Sequence, residues 1–291
     1  MITPELLAQV RRLTIRSRRA VEEVFAGSYR SAFRGKGLEF AEVREYVPGD
    51  DVRSIDWNVT ARHGRPFVKR FDEERELTVV IALDLSGSLR FGSAARTKRA
   101  TAAEAGALLS LAASRNRDRV GLLLFTDRVE LYLPPSKSRA RSLRVVRELL
   151  AFEAEGAGTD VAGALAFLGR VVRRRAVVFL ISDWLADSFE RPMGLLARRH
   201  EIVTIEVKDP LEEALPPRGL IRVRDLETGE SRLVDLGVLS ARREWHATRA
   251  RHERSLADAF SRARAGRIGL SSVRPVAPEL IRHFEQRTHR R

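Results

Sequence analysis

In the run Leu77-Thr-Val-Val-Ile-Ala-Leu-Asp-Leu-Ser-Gly-Ser88, an unbroken apolar stretch ends in one carboxylate and two hydroxyls at alternate positions, Asp84, Ser86 and Ser88. A continuous apolar run of this length predicts a strand buried on both faces, as in parallel sheets, with an exit loop that presents oxygen atoms. Oxygen-only ligation by a carboxylate and neutral hydroxyls suits a hard divalent cation, Mg2+ or Mn2+, that keeps some of its waters. The competing reading is local: Ser86 or Ser88 caps the following helix by accepting from its first-turn amides.

Two later stretches favour the ion. Ala176-Val-Val-Phe-Leu-Ile181 is a second buried run followed by Ser182-Asp183-Trp184, so Asp183 falls at the carboxyl end of another strand. Ligands of open parallel sheets bind at that edge, where the strand order reverses. Gly158-Thr159-Asp160 precedes the helical pattern Val161-Ala-Gly-Ala-Leu-Ala-Phe-Leu168, where Thr159 supplies either a third hydroxyl or only an N-cap.

Beyond Leu77 the chain alternates strand and helix patterns, which predicts an α/β fold with a doubly wound, mostly parallel, six-stranded sheet. Strands are expected near 77–83, 120–125, 129–133, 177–182, 202–207 and 268–273, and helices near 94–115, 138–152, 160–172, 188–199, 239–264 and 277–287. Thr126-Asp127 is too short a link for a parallel crossover, so the third strand is expected to be an antiparallel edge strand. Ile221 to Asp235 reads as a β-hairpin turning at Thr228-Gly229, expected to be a surface insertion near 220–235 and, in the alternative, a flap that touches a partner.

The N-terminal part reads differently. Residues 3–26 carry an apolar stripe, Leu6, Leu7, Val10, Leu13, Val21, Val24 and Phe25, behind a Thr3-Pro4 start, and predict an amphipathic helix packed on the second unit. From Gly35 to Glu76 short β segments, 38–47 and 66–71, alternate with Gly and Pro turns. The organisation expected is therefore an N-terminal helix and small β-rich module over 1–76, then the α/β unit over 77–291.

The 291 residues, 44% of them apolar, can bury a sizeable core. With no cysteine, disulfides, thiol catalysis and Cys-based zinc sites are excluded. The polar start Met1-Ile-Thr-Pro-Glu and the lack of a long apolar run predict a cytoplasmic protein without a membrane span. Net charge is +14, and a basic end from Ser240 onward, including Arg242, Arg243, Arg249, Arg251, Arg254, Arg262, Arg264 and Arg267, would attract a polyanion.

Asp84-Leu-Ser86-Gly-Ser88, Thr159 and Asp183, in that order, resemble the metal-ion-dependent adhesion site of von Willebrand factor A domains. The resemblance implies that Ser86, Ser88 and Thr159 offer hydroxyls directly to Mg2+ (or Mn2+). Asp84 and Asp183 would act through bound waters, and an acidic side chain of a partner would fill the sixth position. Upstream, Glu45-Tyr46-Val-Pro48-Gly49-Asp50-Asp51-Val-Arg53-Ser-Ile-Asp56-Trp57-Asn-Val-Thr60-Ala61-Arg62 is similar to the signature of the domain of unknown function 58 family of bacteria. Membership implies association with MoxR-type AAA+ ATPases. Read physically, Pro48-Gly49-Asp50 is a turn, and Arg53 and Arg62 are expected to pair with Asp50, Asp51 or Asp56 around a packed Trp57.

Several chemistries lack their residues. There is no phosphate-cradling Gly-x-x-x-x-Gly-Lys loop, Gly35-Lys36-Gly37 being too short, no His-Glu-x-x-His pair and no Gly-x-Ser-x-Gly elbow around Ser86. Each of the histidines, among them His200, is expected to be exposed or hydrogen-bonded. The leading expectation is a non-enzymatic, magnesium-dependent protein-binding module that presents the ion to a partner's carboxylate. The alternatives are polyanion or nucleic-acid binding through the Arg-rich end and, last, metal-dependent hydrolysis, for which no general base is evident.

Overall fold

The computed structural model describes residues 26–33, 39–72, 76–215 and 219–289. Its centre is a six-stranded sheet of β3 (Thr78–Asp84), β4 (Arg119–Phe125), β5 (Val129–Ser136), β6 (Val177–Ser182), β7 (Glu201–Lys208) and β10 (Gly266–Ser271), in the order β10-β7-β6-β3-β4-β5. All neighbours are parallel except β4 and β5, so the short Thr126-Asp127 link does make an antiparallel edge strand. A second two-stranded ladder joins β1 (Glu39–Glu45) to β2 (Phe67–Asp72), and a third joins β8 (Leu220–Arg224) to β9 (Ser231–Asp235).

The period of two along each central strand sorts its side chains to two faces. Val79, Ile81, Leu83, Phe179 and Ile181 enter one apolar cluster, with helices Lys98–Arg115, Arg139–Ala151 and Val276–His289. Val80, Ala82, Val178 and Leu180 enter the other, with helices Val161–Val171, Glu190–Ala197 and Leu239–Arg262. Helices on both faces explain why the strand sequences are apolar throughout rather than alternating. Helix Lys98–Arg115 is rich in alanine, lets the sheet approach closely, and starts on Thr97, whose hydroxyl accepts from the Ala100 amide.

That helix begins four residues later than the pattern over 94–115 suggests, because the chain after β3 first makes a 3-10 turn, Gly87–Arg90. The predicted helix over residues 3–26 lies outside the described residues apart from its last position. Helix Ala26–Phe33 adds Tyr29 and Phe33 to the core, where Phe33 meets Phe179 and Phe284 edge-on at 5.5 and 5.4 Å between centroids. Among the described residues no helix is long and apolar enough to cross a membrane.

The segment from Glu45 to Arg62 departs from its expected packing. Asp56 caps helix Trp57–His63 by accepting from the Asn58 and Val59 amides, and Trp57 stands 70% exposed rather than packed. Asp50 pairs with Arg44, at 2.6 Å, and not with Arg53 or Arg62. The turn chemistry at Asp50, Asp51 and Asp56 satisfies backbone amides.

Candidate metal-binding site

Strand order reverses between β3 and β6: β4 and β5 lie on one side of β3, and β6, β7 and β10 lie on the other. The exit loops of β3 and β6 therefore diverge and leave a crevice at the carboxyl edge of the sheet. Asp84 closes β3 there, fully buried. One carboxylate oxygen accepts from the Ser86 amide at 2.8 Å and the other from the Ser182 hydroxyl at 2.7 Å, which ties β3 to β6. Burial pushes the Asp84 carboxyl up to about 6, neighbouring Asp183 adds to this, and the bonds from Ser182 and Ser86 oppose it.

The hydroxyls of Ser86 and Ser88 lie 3.1 Å apart on either side of Gly87. Ser86 makes no side-chain cap, so the capping alternative does not describe it. The Gly87 amide donates to the Ala157 carbonyl at 2.7 Å, bringing the loop that carries Thr159 against the Asp84-Leu-Ser-Gly-Ser88 turn. That loop is pinned again at Glu130, whose carboxylate accepts from the Gly156 amide and the Thr126 hydroxyl at 2.8 and 2.7 Å. The N-cap of helix Val161–Val171 is Asp160, accepting from the Gly163 amide, so the Thr159 hydroxyl is free of capping. It donates to Glu227 Oε1 at 2.7 Å.

Asp183 occupies the third loop. Trp184 turns that loop with a left-handed φ of 61° and is wholly buried against Phe189 and Phe260, so an aromatic anchor fixes the aspartate beside it. Asp183 Oδ2 accepts from the fully buried Lys98 ammonium at 2.8 Å, and Lys98 also donates to Glu212 at 2.5 Å. Burial works against the Lys98 charge, but Asp183 and Glu212 outweigh it and raise its pKa. Glu212 continues into a capping box with Asp209, which accepts from the hydroxyls of Ser93 and Ser272. A line of paired polar groups thus runs along the sheet edge from β10 to β3.

The five expected ligand residues are therefore brought to one rim, on three loops bonded to one another. The donor set fits a small hard cation. Adjacent ligands of an octahedral ion with bonds of about 2.0–2.1 Å stand roughly 3 Å apart, the spacing of the Ser86 and Ser88 hydroxyls. Among the described residues no three His, Cys, Asp or Glu side chains converge, so an ion here would rely on hydroxyls and water beside its carboxylates.

Sequence reasoning missed Ser182, Lys98, Glu212 and Glu227. Lys98 left a trace, because a lysine in the first turn of a helix opposes the helix dipole and calls for acidic partners. The Arg-rich end is more neutralised than its composition suggests: Arg249 pairs with Glu213 and covers Trp245, Arg267 pairs with Glu206 and Glu253, and Arg287 pairs with Glu201. His200 is buried with neither ring nitrogen hydrogen-bonded to the protein, against the expectation of an exposed or satisfied histidine. It precedes β7 at the opposite sheet edge and takes no part in the rim.

Residues 42–255 match the family described as Protein of unknown function DUF58. Over 287 residues the chain is 31% identical to an uncharacterized protein of Mycobacterium tuberculosis, Rv1480, covering 98% of this chain and 90% of that protein. Among solved structures it resembles BatB from Bacteroides thetaiotaomicron at 14% identity and a TM-score of 0.46, over 73% of this chain and 99% of that one. Proximal thread matrix protein 1 from the mussel byssus, with a zinc-occupied MIDAS motif, matches at 12% identity and a TM-score of 0.37, over 46% and 38% of the two chains. Both structural likenesses are distant, and the fold described here rests on its own strand order and register.

Proposed function

The chain belongs to the DUF58 family, and on that membership and the geometry of its rim we propose that it is a metal-ion-dependent protein-binding module rather than an enzyme. Ser86, Ser88 and Thr159 would hold Mg2+ (or Mn2+) through their hydroxyls, with Asp84 and Asp183 acting through water. Once bound, the ion supplies an electrophilic coordination position that an acidic side chain of another protein can occupy. The observation that carries this reading is the pair of hydroxyls 3.1 Å apart around Gly87, whose own amide holds the Thr159 loop in place.

The protein's own residues supply the remaining conditions. Asp84 is oriented by Ser86 and Ser182 before any ion arrives, which lowers the ordering cost of binding. Lys98 keeps Asp183 in place, and a bound dication would offset the carboxylates gathered at the rim while offering its open position to a partner's acidic side chain. By the family resemblance the partner is a MoxR-type AAA+ ATPase or its client.

Affinity capture from the native cytosol, with Mg2+ and with EDTA, tests the reading alongside direct Mn2+ titration of the purified chain. Asp84→Ala should weaken Mn2+ binding at least about 100-fold, roughly 3 kcal/mol, and abolish capture while the circular dichroism spectrum stays unchanged. Equal capture in EDTA and Mg2+, or Mn2+ affinity unaltered in Asp84→Ala, would defeat it.

A further inference from the structure

The hairpin of β8 and β9, expected to be a surface insertion, folds its tip onto the rim. The ideal Cβ of an alanine at Gly87 would lie 2.1 Å from the Leu226 carbonyl oxygen and 3.2 Å from the Glu227 amide nitrogen. The turn therefore rests directly on the loop between Ser86 and Ser88, at an approach only glycine permits. From that position Glu227 reaches the hydroxyl of Thr159 at 2.7 Å.

Resting on the ion-site reading above, we propose that Glu227 is the chain's own ligand for the open corner of that site, a carboxylate in cis that an incoming acidic partner must displace. The turn is built to aim it. Asp225 Oδ1 accepts from the amides of Glu227 and Thr228 at 2.8 and 3.3 Å, and the Gly229 amide donates to the Asp225 carbonyl at 2.9 Å. Gly229 supplies the left-handed φ, +79°, that closes the turn. Carboxylate oxygen is the ligand a hard dication prefers, and 2.7 Å from the Thr159 hydroxyl is close to the spacing of neighbouring ligands around such an ion.

The hairpin is also suited to release. Among the described residues its strands pair only with each other, and Leu220, Val223 and Leu233 are exposed, so little apolar burial holds it down. A lone two-stranded ribbon is marginal in water, and the contacts at Thr159 and Gly87 hold its tip to the rim. Leu236 is buried at its root, so the tip can lift while the base stays anchored. Competition between Glu227 and a partner carboxylate would lower the partner's apparent affinity by the fraction of time the tip is closed.

The metal-free full chain titrated with Mn2+ tests the proposal, with free Mn2+ read by electron paramagnetic resonance and its coordinated water by proton relaxation. Glu227→Gln should weaken Mn2+ binding about tenfold, roughly 1.4 kcal/mol, and raise the relaxivity of bound Mn2+ as water takes the vacated position. Added acetate should lower that relaxivity in the variant and leave the wild type unchanged. Gly87→Ala, which drives the tip away by collision with Leu226 while keeping every hydroxyl and carboxylate, should reproduce the raised relaxivity. If Glu227→Gln matches the wild type in affinity and relaxivity while Asp84→Ala has lost Mn2+, the cis ligand is refuted and the ion site stands. If Asp84→Ala also binds like the wild type, the ion site itself falls.

Discussion

Two stretches of this chain carry family-type motifs, and the fold places them in opposite environments. At the rim, Asp84, Ser86, Lys98 and Ser182 have no solvent exposure, and each is hydrogen-bonded to a neighbouring group. Between Glu45 and Arg62, the polar residues close local turns while Val47, Val52 and Trp57 stand 56, 62 and 70% exposed. Polar groups that lose water must be paired, whereas exposed polar groups at turns are satisfied by nearby amides or by solvent. The comparison teaches that a long signature does not mark a packed centre, and that a short one, Asp84 to Ser88, can be the better guide to where the chain concentrates its chemistry.

Breaking the rim at its buried cation should have the largest effect. Lys98→Met removes the ammonium from between Asp183 and Glu212 and strands a buried carboxylate, so urea denaturation should show a loss on the order of 3 kcal/mol or more. A loss below about 1 kcal/mol would mean that the paired line along the sheet edge contributes little to the fold.

Acid sharpens the same contrast. Burial alone would raise the Asp209 pKa, but bonds from the Ser93 hydroxyl and amide, the Ser272 hydroxyl and the Leu211 amide overcome it and hold the carboxyl at about 2. A carboxylate whose folded pKa lies below its unfolded value of about 3.9 stabilises the protein above that pH, and this contribution fades as pH falls toward 2. Relative to Asp209→Asn, the wild type should be more stable by about 2 kcal/mol at neutral pH, and the gap should close between about pH 4 and 2. A gap that stays constant across that range would show that the charge on Asp209 plays no part.

The smallest effect belongs to the exposed segment. Trp57→Ala should change the unfolding free energy by no more than about 0.5 kcal/mol and leave Mn2+ affinity as it was. A change of several kcal/mol would place Trp57 in a packed interior and erase the difference between the two stretches.

The sequence by itself located the six central strands and the six longer helices of the α/β unit, the antiparallel edge and the carboxyl-edge position of Asp84, Ser86, Ser88, Thr159 and Asp183, but not the short helix Pro210–Glu213. Those features are written locally: apolar runs bounded by turns report burial and period, and a link too short to cross a sheet can only reverse direction. Only the tertiary structure decided which groups share the rim with them. Lys98 meets Asp183 from 85 residues away and Glu212 from 114, and Thr159 meets Glu227 from 68, separations over which no periodicity carries information. The exposure of Trp57 and the descent of the hairpin tip onto Gly87 were decided the same way, because burial and close approach depend on what the rest of the chain brings near.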